Sequence, residues 1–528
     1  MVEGTTFWEL LEARVALTPD ARMLVDQDDR AVTYAEFRDR AEAVAAGLAE
    51  RGIGAGDVVT WQLPTWIESA VLLAALTRLG ATQNPILHIF REREVGFCVR
   101  QSGAKLLVVP SSFNGFDFAA MAAGIAADLE SSDGRTLDVL LCDRPGSGTG
   151  AGNDLPAGDP STLGPPPTSG DEVRWLFYTS GTTAEPKGAQ HTDATLDAAA
   201  RGMCQHMQIR EDDVNGLAFP FPHIAGSIWL LSGFHTGCHN VFLEAFRPDT
   251  VVDTLARNDV TFAGSATAFH QVYAAAQRTA DHPILPRVRE FPGGGSPKPP
   301  ALHYELKELF PESAGVISGY GLTESPILTM ATPDDRDEDL ANTEGGPMPG
   351  VDLKLVKPDG TLAGVGEEGE IRAKAPQLMV GYLDSTLDAE AFDDEGYFRT
   401  GDLGTRNERG MLTITGRLKD IIIRKGENIS AKEVEDTLYT HPKVADVAVI
   451  GLPDAASGER VCAIVTTAEG QEPITYDEMK SHLVDAGLMI IKVPEQLELV
   501  EVIPRNPAGK VLKQDLKKQY EGSSPTRR

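Results

Sequence analysis

A segment rich in hydroxyl side chains has the composition of a phosphate-binding loop. It reads Tyr178-Thr179-Ser180-Gly181-Thr182-Thr183-Ala184-Glu185-Pro186-Lys187-Gly188 and follows an apolar stretch that is typical of a strand. Hydroxyl and free backbone N–H groups donate to phosphate oxygens, glycine lets the backbone come close, and lysine adds a positive charge. The spacing is not that of a Walker A loop, because Pro186-Lys187-Gly188 stands where Gly-Lys-Ser/Thr would be required. Composition alone leaves a polar turn after a strand as the alternative interpretation.

This segment resembles the signature S-G-T-T-G-x-P-K-G of the adenylate-forming superfamily, which comprises acyl-CoA synthetases, peptide-synthetase adenylation domains and luciferases. Ala184 stands where that family usually has glycine, so the loop is expected to be slightly stiffer. Further motifs of the family follow in the family's order over most of the chain, and their joint chance occurrence is negligible. They are Gly293-Gly294-Gly295-Ser296-Pro297, Gly319-Tyr320-Gly321-Leu322-Thr323-Glu324, Tyr397-Phe398-Arg399-Thr400-Gly401-Asp402, Gly416-Arg417-Leu418-Lys419-Asp420, Arg424-Lys425-Gly426-Glu427-Asn428-Ile429 and Pro504-Arg505-Asn506-Pro507-Ala508-Gly509-Lys510-Val511.

The resemblance implies a binding site for ATP and AMP. Tyr320 would stack on adenine, Thr323 would contact the α-phosphate, and Asp402 would accept hydrogen bonds from the ribose hydroxyls. The physical chemistry agrees, since an aromatic face suits a base and a carboxylate can accept from two neighbouring hydroxyls. The complete set implied for the nucleotide is Thr179, Ser180, Gly181, Thr182, Thr183, Lys187, Gly295, Ser296, Pro297, Tyr320, Gly321, Thr323, Asp402, Arg417 and Lys510.

The resemblance also implies three catalytic residues, Lys510, Glu324 and Thr323. Lys510 corresponds to the catalytic lysine on a loop of the small domain. Glu324 would help to hold Mg²⁺, which takes few protein ligands besides ATP oxygens. Lys419 occupies the hinge position about which the small domain rotates. Taken alone, a glutamate or a lysine beside glycine is far more often a solvated surface charge.

The resemblance places an acyl pocket and a CoA site on further residues. The acyl pocket is expected to involve His223, Gly264, Ser265, Gly294, Gly321 and Leu322. Amino-acid-activating relatives carry an Asp near His223, and its absence here resembles the fatty-acyl and aryl-CoA synthetases; a satisfied core histidine is the alternative. Gly426 matches the glycine that lines the pantetheine tunnel. Arg424 and Lys425 are predicted to contact CoA phosphates, with solvated surface charge as the alternative.

The predicted function is that of an AMP-forming acyl-CoA synthetase, an acid–thiol ligase that uses ATP, Mg²⁺ and coenzyme A. A weaker likeness of Trp61–Trp66 and Asn84–Glu94 to short/medium-chain and cyclohexanecarboxylate-type CoA ligases favours a fatty or alicyclic acid. Three alternatives stay open: an adenylating enzyme that passes the acyl group to a carrier protein or amine, a luciferase-like monooxygenase, and a non-catalytic nucleotide-binding sensor. The intact Lys510 and Glu324 argue against the sensor, because a binder needs no reaction-specific lysine.

Alternating helix and strand patterns must position these residues. The capping box Thr33-x-x-Glu36 opens a helix, and a strand-like stretch over Val58–Gln62 precedes an apolar helix over Ile67–Leu79. Such alternation implies parallel sheets covered by helices. The predicted fold is α/β. By resemblance, residues 1–418 form a large N-terminal domain of parallel or mixed sheets flanked by helices, with a β-barrel-like subdomain, and residues 419–528 form a small mobile α+β lid that carries the catalytic lysine.

Composition limits the partners. The 528 residues carry 78 acidic and 48 basic side chains, for a formal net charge of −30. So acidic a surface argues against nucleic acid or an anionic membrane as the main partner, since phosphate-rich partners need basic patches. Five scattered cysteines and an N-terminal segment without an export signal favour a cytoplasmic protein with free thiols. The expected partners are a small carboxylic acid, ATP and CoA, without nucleic acid or integral membrane association, and a homodimer is one candidate assembly.

Overall fold

A computed structural model describes residues 1–145, 154–179, 185–295, 298–425, 427–454, 457–506 and 509–523. Its helices begin where side chains satisfy the free N–H groups of the first turn. Thr33 and Thr475 form complete capping boxes with Glu36 and Glu478. The helices of the described residues are α1 (Phe7–Leu17), α2 (Tyr34–Glu50), α3 (Ile67–Leu79), α4 (Glu92–Ser102), α5 (Phe118–Asp133), α6 (Asp193–His206), α7 (Ile224–Thr236), α8 (Val251–Arg257), α9 (Thr267–Thr279), α10 (Pro300–Leu309), α11 (Asp337–Asn342), α12 (Asp388–Ala391), α13 (Ala431–Leu438), α14 (Tyr476–Asp485) and α15 (Lys513–Tyr520).

Short strands alternate with these helices in the first half of the chain and dominate the second half. The strands of the described residues are β1 (Arg22–Asp26), β2 (Ala31–Thr33), β3 (Val58–Trp61), β4 (Thr82–Pro85), β5 (Leu106–Val109), β6 (Ser112–Phe113), β7 (Phe116–Asp117), β8 (Asp138–Leu141), β9 (Val173–Thr179), β10 (Lys187–Thr192), β11 (Val214–Leu217), β12 (His239–Phe242), β13 (Phe262–Ala263), β14 (Phe291–Gly293), β15 (Val316–Leu322), β16 (Ser325–Met330), β17 (Gly346–Pro347), β18 (Asp352–Val356), β19 (Gly369–Lys374), β20 (Gly381–Tyr382), β21 (Phe398–Arg406), β22 (Leu412–Arg417), β23 (Ile421–Arg424), β24 (Glu427–Ser430), β25 (Val444–Asp454), β26 (Gly458–Thr467) and β27 (Gln496–Leu499).

Two large sheets form the core of the N-terminal region. Their strand orders are β20-β10-β9-β4-β3-β5-β8 and β13-β11-β12-β1-β2. The predicted parallel pairing holds for β9, β4, β3, β5 and β8, but β9 and β10 pair antiparallel. The antiparallel pair arises because β10 begins at Lys187, only a few residues after β9 ends at Thr179, whereas a parallel pair would need a crossover of about a dozen residues or more. The sheets are therefore mixed rather than purely parallel.

Two smaller sheets follow in the chain. The order β14-β15-β16-β17 begins with a parallel pair, while β18-β19-β21-β22 is antiparallel throughout. A separate apolar cluster that includes Tyr320, Leu353, Ile371 and Leu412 fills the space beneath the antiparallel sheet. This sheet corresponds to the predicted barrel-like subdomain, and it brings β21 and β22 to the edge of the N-terminal core.

The last hundred residues form a compact α+β unit. Its sheet has the order β24-β23-β26-β25, with β27 pairing parallel to β26. Apolar clusters drawn only from residues 422–516 fill its interior. The predicted boundary after residue 418 falls in a single turn of 3-10 helix, Leu418–Asp420, between β22 and β23. The predicted α/β fold class with a small second unit is confirmed.

None of the helices in the described ranges combines the length and the apolar character that a membrane-spanning helix requires.

Candidate active site

The predicted phosphate loop connects the antiparallel strands β9 and β10. Thr179 ends β9 and Lys187 begins β10, and the two residues pair across the hairpin. Both therefore lie at the carboxyl end of β9, the edge at which open α/β sheets bind ligands. Several predicted site residues lie outside the described ranges: Ser180, Gly181, Thr182, Thr183, Ser296, Pro297 and Gly426.

The predicted metal ligand Glu324 lies in the tight turn between β15 and β16. Its Oε1 accepts a hydrogen bond of 2.7 Å from the Tyr382 hydroxyl. Its main-chain carbonyl accepts a hydrogen bond of 2.8 Å from the N–H of Met379. The Nζ atom of Lys187 lies 5.4 Å from the centroid of the Tyr382 ring. The carboxylate and the phosphate-loop lysine thus meet at a tyrosine that sequence analysis did not single out.

The donor chemistry of this turn fits Mg²⁺. The Tyr382 hydroxyl donates to Oε1 of Glu324. In the part of the chain that the structure describes, no group donates a hydrogen bond to Oε2. The carboxylate is 9% exposed. Oε2 is therefore a hard, anionic oxygen without a donor, close to the lysine of the predicted phosphate loop. Mg²⁺ binds oxygens of this kind together with substrate phosphates.

A buried histidine fixes the backbone of Thr323. The Nε2 atom of His191 lies 2.8 Å from the Thr323 carbonyl oxygen, and its Nδ1 lies 3.0 Å from Oγ1 of Thr195. Burial lowers the pKa of His191 to about 4, so the ring is neutral. Because a carbonyl oxygen only accepts, Nε2 carries the proton. Sequence analysis missed His191, since its partner is a carbonyl 132 residues away.

The predicted ribose acceptor Asp402 is held by two donors. The Tyr320 hydroxyl donates to Oδ2 over 2.8 Å, and Nε of Arg417 lies 2.6 Å from Oδ1. The β21–β22 register places Asp402 directly opposite Arg417. Burial, reinforced by the Asp402 carboxylate, raises the pKa of Tyr320, so its hydroxyl keeps the proton that it donates. Tyr320, Asp402 and Arg417, which were all predicted for the nucleotide site, thus contact one another.

Lys510 reaches the same cleft from the C-terminal unit. Desolvation in the cleft lowers the pKa of Lys510 to about 8, and the cations Arg417 and Lys419 add to this effect. The carboxylates of Asp402 and Asp420 oppose the shift. Lys510 is an exposed residue, so this desolvation is incomplete. Its charged neighbours nevertheless place it beside the predicted ribose site.

The turn that carries Lys510 touches the N-terminal region. The Lys510 N–H donates to Oδ1 of Asn506 over 2.9 Å, and the Asn506 N–H donates to the Lys510 carbonyl over 2.8 Å. Gly509 has φ +80°, and a Cβ built on it would lie 3.3 Å from Cβ of Ala266. Glycine therefore supplies both the left-handed backbone and the room for a close approach.

His223 stands on the other side of the cleft, at the start of α7. Its Nδ1 accepts a hydrogen bond of 3.2 Å from the Ala225 N–H. Burial lowers the pKa of His223 to about 4, and the nearby Lys510 charge adds to this effect. The ring is therefore neutral, with its proton on Nε2. This N–H donates to no acceptor among the described residues, so His223 is a helix cap with a free donor.

Small residues stand at the carboxyl ends of β13, β14 and β15. Ser265 bridges to Gly293, and β14 runs parallel to β15. A Cβ on Gly264 would lie 3.4 Å from Cβ of Pro292, and one on Gly294 would lie 3.2 Å from the Gly319 carbonyl oxygen. The predicted pocket residues Gly264, Ser265 and Gly294 thus share one edge of the sheet.

Two further predicted pocket residues, Gly321 and Leu322, lie at the end of β15. A Cβ on Gly321 would lie 2.2 Å from the backbone nitrogen of Ile327, so this glycine packs against β16. The Leu322 side chain packs against the apolar clusters of the subdomain. Both residues are only partly buried, and their place in the acyl pocket stays a prediction.

The basic pair predicted for CoA divides into one engaged and one free side chain. Arg424 forms an ion pair of 2.5 Å with Glu495 and donates to the carbonyls of Ile491 and Val493. Lys425 is exposed and has φ +53°. In this arrangement Arg424 has little capacity left for a phosphate.

The predicted hinge residue Lys419 lies in the turn between β22 and β23. Burial, followed by the charge of Arg417, lowers the pKa of Lys419. The two units also touch beside this turn, where Oγ of Ser430 donates to the Thr415 carbonyl over 2.6 Å. The chain therefore passes between the units at a point that lies within charge range of Lys510.

Comparisons with known proteins agree with this arrangement. Residues 11–383 match the family model of the AMP-binding enzymes, and residues 433–510 match the AMP-binding enzyme C-terminal domain. The medium-chain fatty-acid–CoA ligase of Escherichia coli is 30% identical over 505 residues, which cover 95% of this chain and 88% of the relative. The salicyl-AMP ligase / salicyl-S-ArCP synthetase of Mycobacterium tuberculosis is 32% identical over 537 residues, with 98% and 91% covered.

Solved structures give the same answer. The crystal structure of ATP-bound MatB from Rhodopseudomonas palustris matches with a TM-score of 0.82 at 28% identity, covering 97% of this chain and 98% of that chain. The superfamily that the motif order predicted is thereby confirmed. Because two family models together match most of its length, and Tyr320, Asp402 and Arg417 of the predicted motifs contact one another, this chain belongs to the family of AMP-binding, adenylate-forming enzymes.

Proposed function

We propose that this chain activates a carboxylic acid with ATP to an acyl-adenylate and pyrophosphate, and then transfers the acyl group to the thiol of CoA with release of AMP. The observation that carries this proposal is that Lys510, from the C-terminal unit, lies within charge range of Asp402, Arg417 and His223 of the N-terminal region. A protein that only binds nucleotide has no need of a lysine from a second unit at that place.

In the first half-reaction, a carboxylate oxygen of the acid bonds to the α-phosphorus of ATP as the bond to pyrophosphate breaks. Both reactants are anions, so the barrier is largely positional and electrostatic. With a pKa of about 8, Lys510 is mostly an ammonium at pH 7 and offsets the charge of the carboxylate and the α-phosphate. The neutral Nε2–H of His223 supplies a second donor for the acid.

The rest of the site orients ATP. Asp402 accepts from the ribose hydroxyls, and Lys187 faces the phosphates from the first residue of β10. Glu324 would hold Mg²⁺, which when bound supplies positive charge against the phosphate oxygens. Phosphoryl chemistry of this kind depends mainly on positioning and charge neutralisation.

In the second half-reaction, the CoA thiolate attacks the acyl carbon and the bond to AMP breaks. Lys510 has no role in this step. We propose that a rotation at Lys419 moves Lys510 out of the cleft and brings the loop around Gly426 towards it, in a gating motion that often limits turnover. Such a rotation has to break the hydrogen bond between Ser430 and Thr415.

We propose a fatty or alicyclic acid as the substrate. The segment from Phe219 to Ser227 contains no acidic residue that would pair with an amino group, and His223 within it is neutral. The residues that follow β13 and β14, Gly264, Ser265 and Gly294, are small, which favours an acid with a bulky apolar body. The relative from Escherichia coli, a medium-chain fatty-acid–CoA ligase, supports the same class.

A carrier-protein thiol is the second candidate acceptor. One relative at 32% identity is a salicyl-S-ArCP synthetase, and Arg424, predicted to meet CoA phosphates, is paired with Glu495 instead. The cytoplasmic location also stays a proposal, supported by five cysteines that are all buried free thiols.

The decisive experiment measures pyrophosphate release with a panel of fatty, alicyclic and aromatic acids, each with and without CoA. We expect AMP and the acyl-CoA of at least one apolar acid, identified by mass spectrometry. Pyrophosphate release that never yields acyl-CoA, but that yields a thioester on a phosphopantetheinyl carrier protein, would select the second candidate. If no acid releases pyrophosphate from ATP, the proposed reaction is wrong.

A further inference from the structure

Tyr382 touches two oppositely charged groups of the nucleotide site. Its hydroxyl donates to Oε1 of Glu324 over 2.7 Å, and its ring centroid lies 5.4 Å from Nζ of Lys187. The tyrosine is 5% exposed. A hydrogen bond to a carboxylate is stronger than a neutral one, and an aromatic face attracts an ammonium group. The hydroxyl of Tyr382 therefore contacts the Glu324 carboxylate, and the face of its ring contacts the Lys187 ammonium group.

The backbone around Tyr382 is tied to the strand that carries Lys187. Tyr382 pairs with Ala189 in the β20–β10 ladder, and its carbonyl accepts a hydrogen bond of 3.0 Å from Nε2 of Gln190. Its N–H donates to Oδ1 of Asp388 over 2.9 Å. The ring is thus fixed relative to the first residue of β10, on which the phosphate-binding lysine stands.

The two charges do not pair with each other. Within the described residues, Lys187 and Glu324 form no ion pair, although both lie against Tyr382. A direct ion pair would neutralise both groups and cover the carboxylate oxygen that a metal ion needs. With Tyr382 between them, the ammonium rests on the ring and the carboxylate on the hydroxyl.

We infer that Tyr382 is a positioning residue that keeps Glu324 and Lys187 apart and oriented for Mg·ATP. The inference rests on the proposed function, because it concerns the same nucleotide site. The hydroxyl engages Oε1 and leaves Oε2 for the metal ion. Groups that orient a metal ligand in this way typically contribute about 10- to 100-fold to metal affinity.

The test compares ATP binding in excess Mg²⁺ with ATP binding in EDTA, by titration calorimetry on the full chain. Tyr382→Phe keeps the ring and removes only the hydroxyl. We expect this variant to lose about 10- to 100-fold of the gain in ATP affinity that Mg²⁺ provides, with binding in EDTA unchanged. Tyr382→Leu removes the ring as well, so Lys187 is released to pair with Glu324 and binding in EDTA weakens too.

Tyr397 provides a matched control, because its side chain contacts Asp352 and Lys354 in the same two ways. The Tyr397 hydroxyl donates to Oδ2 of Asp352 over 2.5 Å, and Nζ of Lys354 lies 3.8 Å from its ring centroid. Tyr397→Phe thus removes the same kind of hydrogen bond beside the same kind of cation, and ATP binding should not change in either buffer.

Two results would overturn the inference. One is a Tyr382→Phe variant with the full benefit of Mg²⁺, and the other is an equal loss of ATP affinity with and without the metal ion. Should Tyr382→Leu fail to fold, the Phe variant decides, since it differs from the wild type by one oxygen atom. The assay needs neither acid nor CoA, so a wild-type chain that binds Mg·ATP but activates no acid would contradict the proposed reaction alone.

Discussion

The two sides of the cleft hold their charged groups in different ways. Asp402 is 3% exposed and is fixed by two donors, Tyr320 and Arg417, from different elements. Lys510 keeps contact with solvent, and its position depends on a turn of the C-terminal unit and on a close approach to Ala266. In the proposed reaction the nucleotide side is therefore preorganised, whereas the ammonium group of Lys510 is delivered by the C-terminal unit. A change on the first side should therefore affect both half-reactions, and a change on the second side only one.

Removing the charge of Lys510 should give the largest difference between the two half-reactions. Lys510→Ala should lower acyl-AMP formation by about 10²- to 10³-fold, the usual cost of losing one preorganised group that stabilises transition-state charge. Thioester formation from supplied acyl-AMP should remain largely intact, because Lys510 has no role in that step. Pyrophosphate release and single-turnover thioester assays measure the two steps separately.

Lys518 provides the control for this experiment. It is an exposed lysine of α15, and Lys518→Ala should leave both half-reactions at the wild-type rate. An equal loss of both half-reactions in Lys510→Ala would contradict the division between a fixed side and a delivered side.

The fixed side is tested by Asp402→Asn, which keeps the shape and removes the charge. AMP binding should weaken by about 10- to 100-fold, because the ribose hydroxyls and Arg417 lose a charged acceptor. Both half-reactions should slow together, and calorimetric titration with AMP gives the binding change. Asp339, equally buried at 3% and paired with Arg336, is the matched control, and Asp339→Asn should not change AMP affinity. Unchanged AMP binding in Asp402→Asn would contradict the assignment of Asp402 to the ribose.

A substitution at the proposed hinge, Lys419, tests whether the C-terminal unit rotates between the two half-reactions. Lys419→Pro restricts the backbone of the Leu418–Asp420 turn, so rotation of the lid should be hindered. We expect acyl-AMP formation to survive and thioester formation to fall by at least about tenfold, the reverse of Lys510→Ala. Persistence of both half-reactions would show that the lid turns about another residue.

The smallest expected effect is a shift in chemical reactivity. Because the pKa of Lys510 is lowered to about 8, half of its side chains are neutral amines at that pH, whereas an ordinary lysine near 10.4 is almost fully charged. Labelling of Lys510 by an amine-reactive reagent should rise with pH to a midpoint near 8, read by peptide mass spectrometry. Adenylation, which uses the ammonium form, should decline as the pH rises past the same region. A labelling midpoint near 10 would mean that the cleft does not desolvate this lysine.

Local signals in the sequence predicted much of the fold. The capping box at Thr33 placed the start of a helix, and the apolar helix Ile67–Leu79 was predicted to the residue. These succeed because caps and helical periodicity depend on neighbours along the chain. The antiparallel β9–β10 pair was not predicted, since alternation of elements does not tell a direct hairpin from a crossover.

The candidate site divides in the same way. Tyr320, Asp402 and Arg417 lie together as their motifs predicted. Tyr382 and His191 were missed, because each acts on a residue tens of positions away through a single hydrogen bond. The β15–β16 hairpin beside Gly321 and Leu322 was not predicted either, because strand register depends on pairing between segments and not on a local pattern.

The end of β22 links nucleotide binding to the orientation of the C-terminal unit. Arg417 is the last residue of that strand and contacts Asp402, and the proposed pivot lies two residues later. Thermodynamic reciprocity then requires that a nucleotide which prefers one lid orientation stabilises that orientation by the same factor. A tight-binding mimic of AMP should consequently arrest the enzyme at one stage of its cycle and inhibit it without entering the acid pocket.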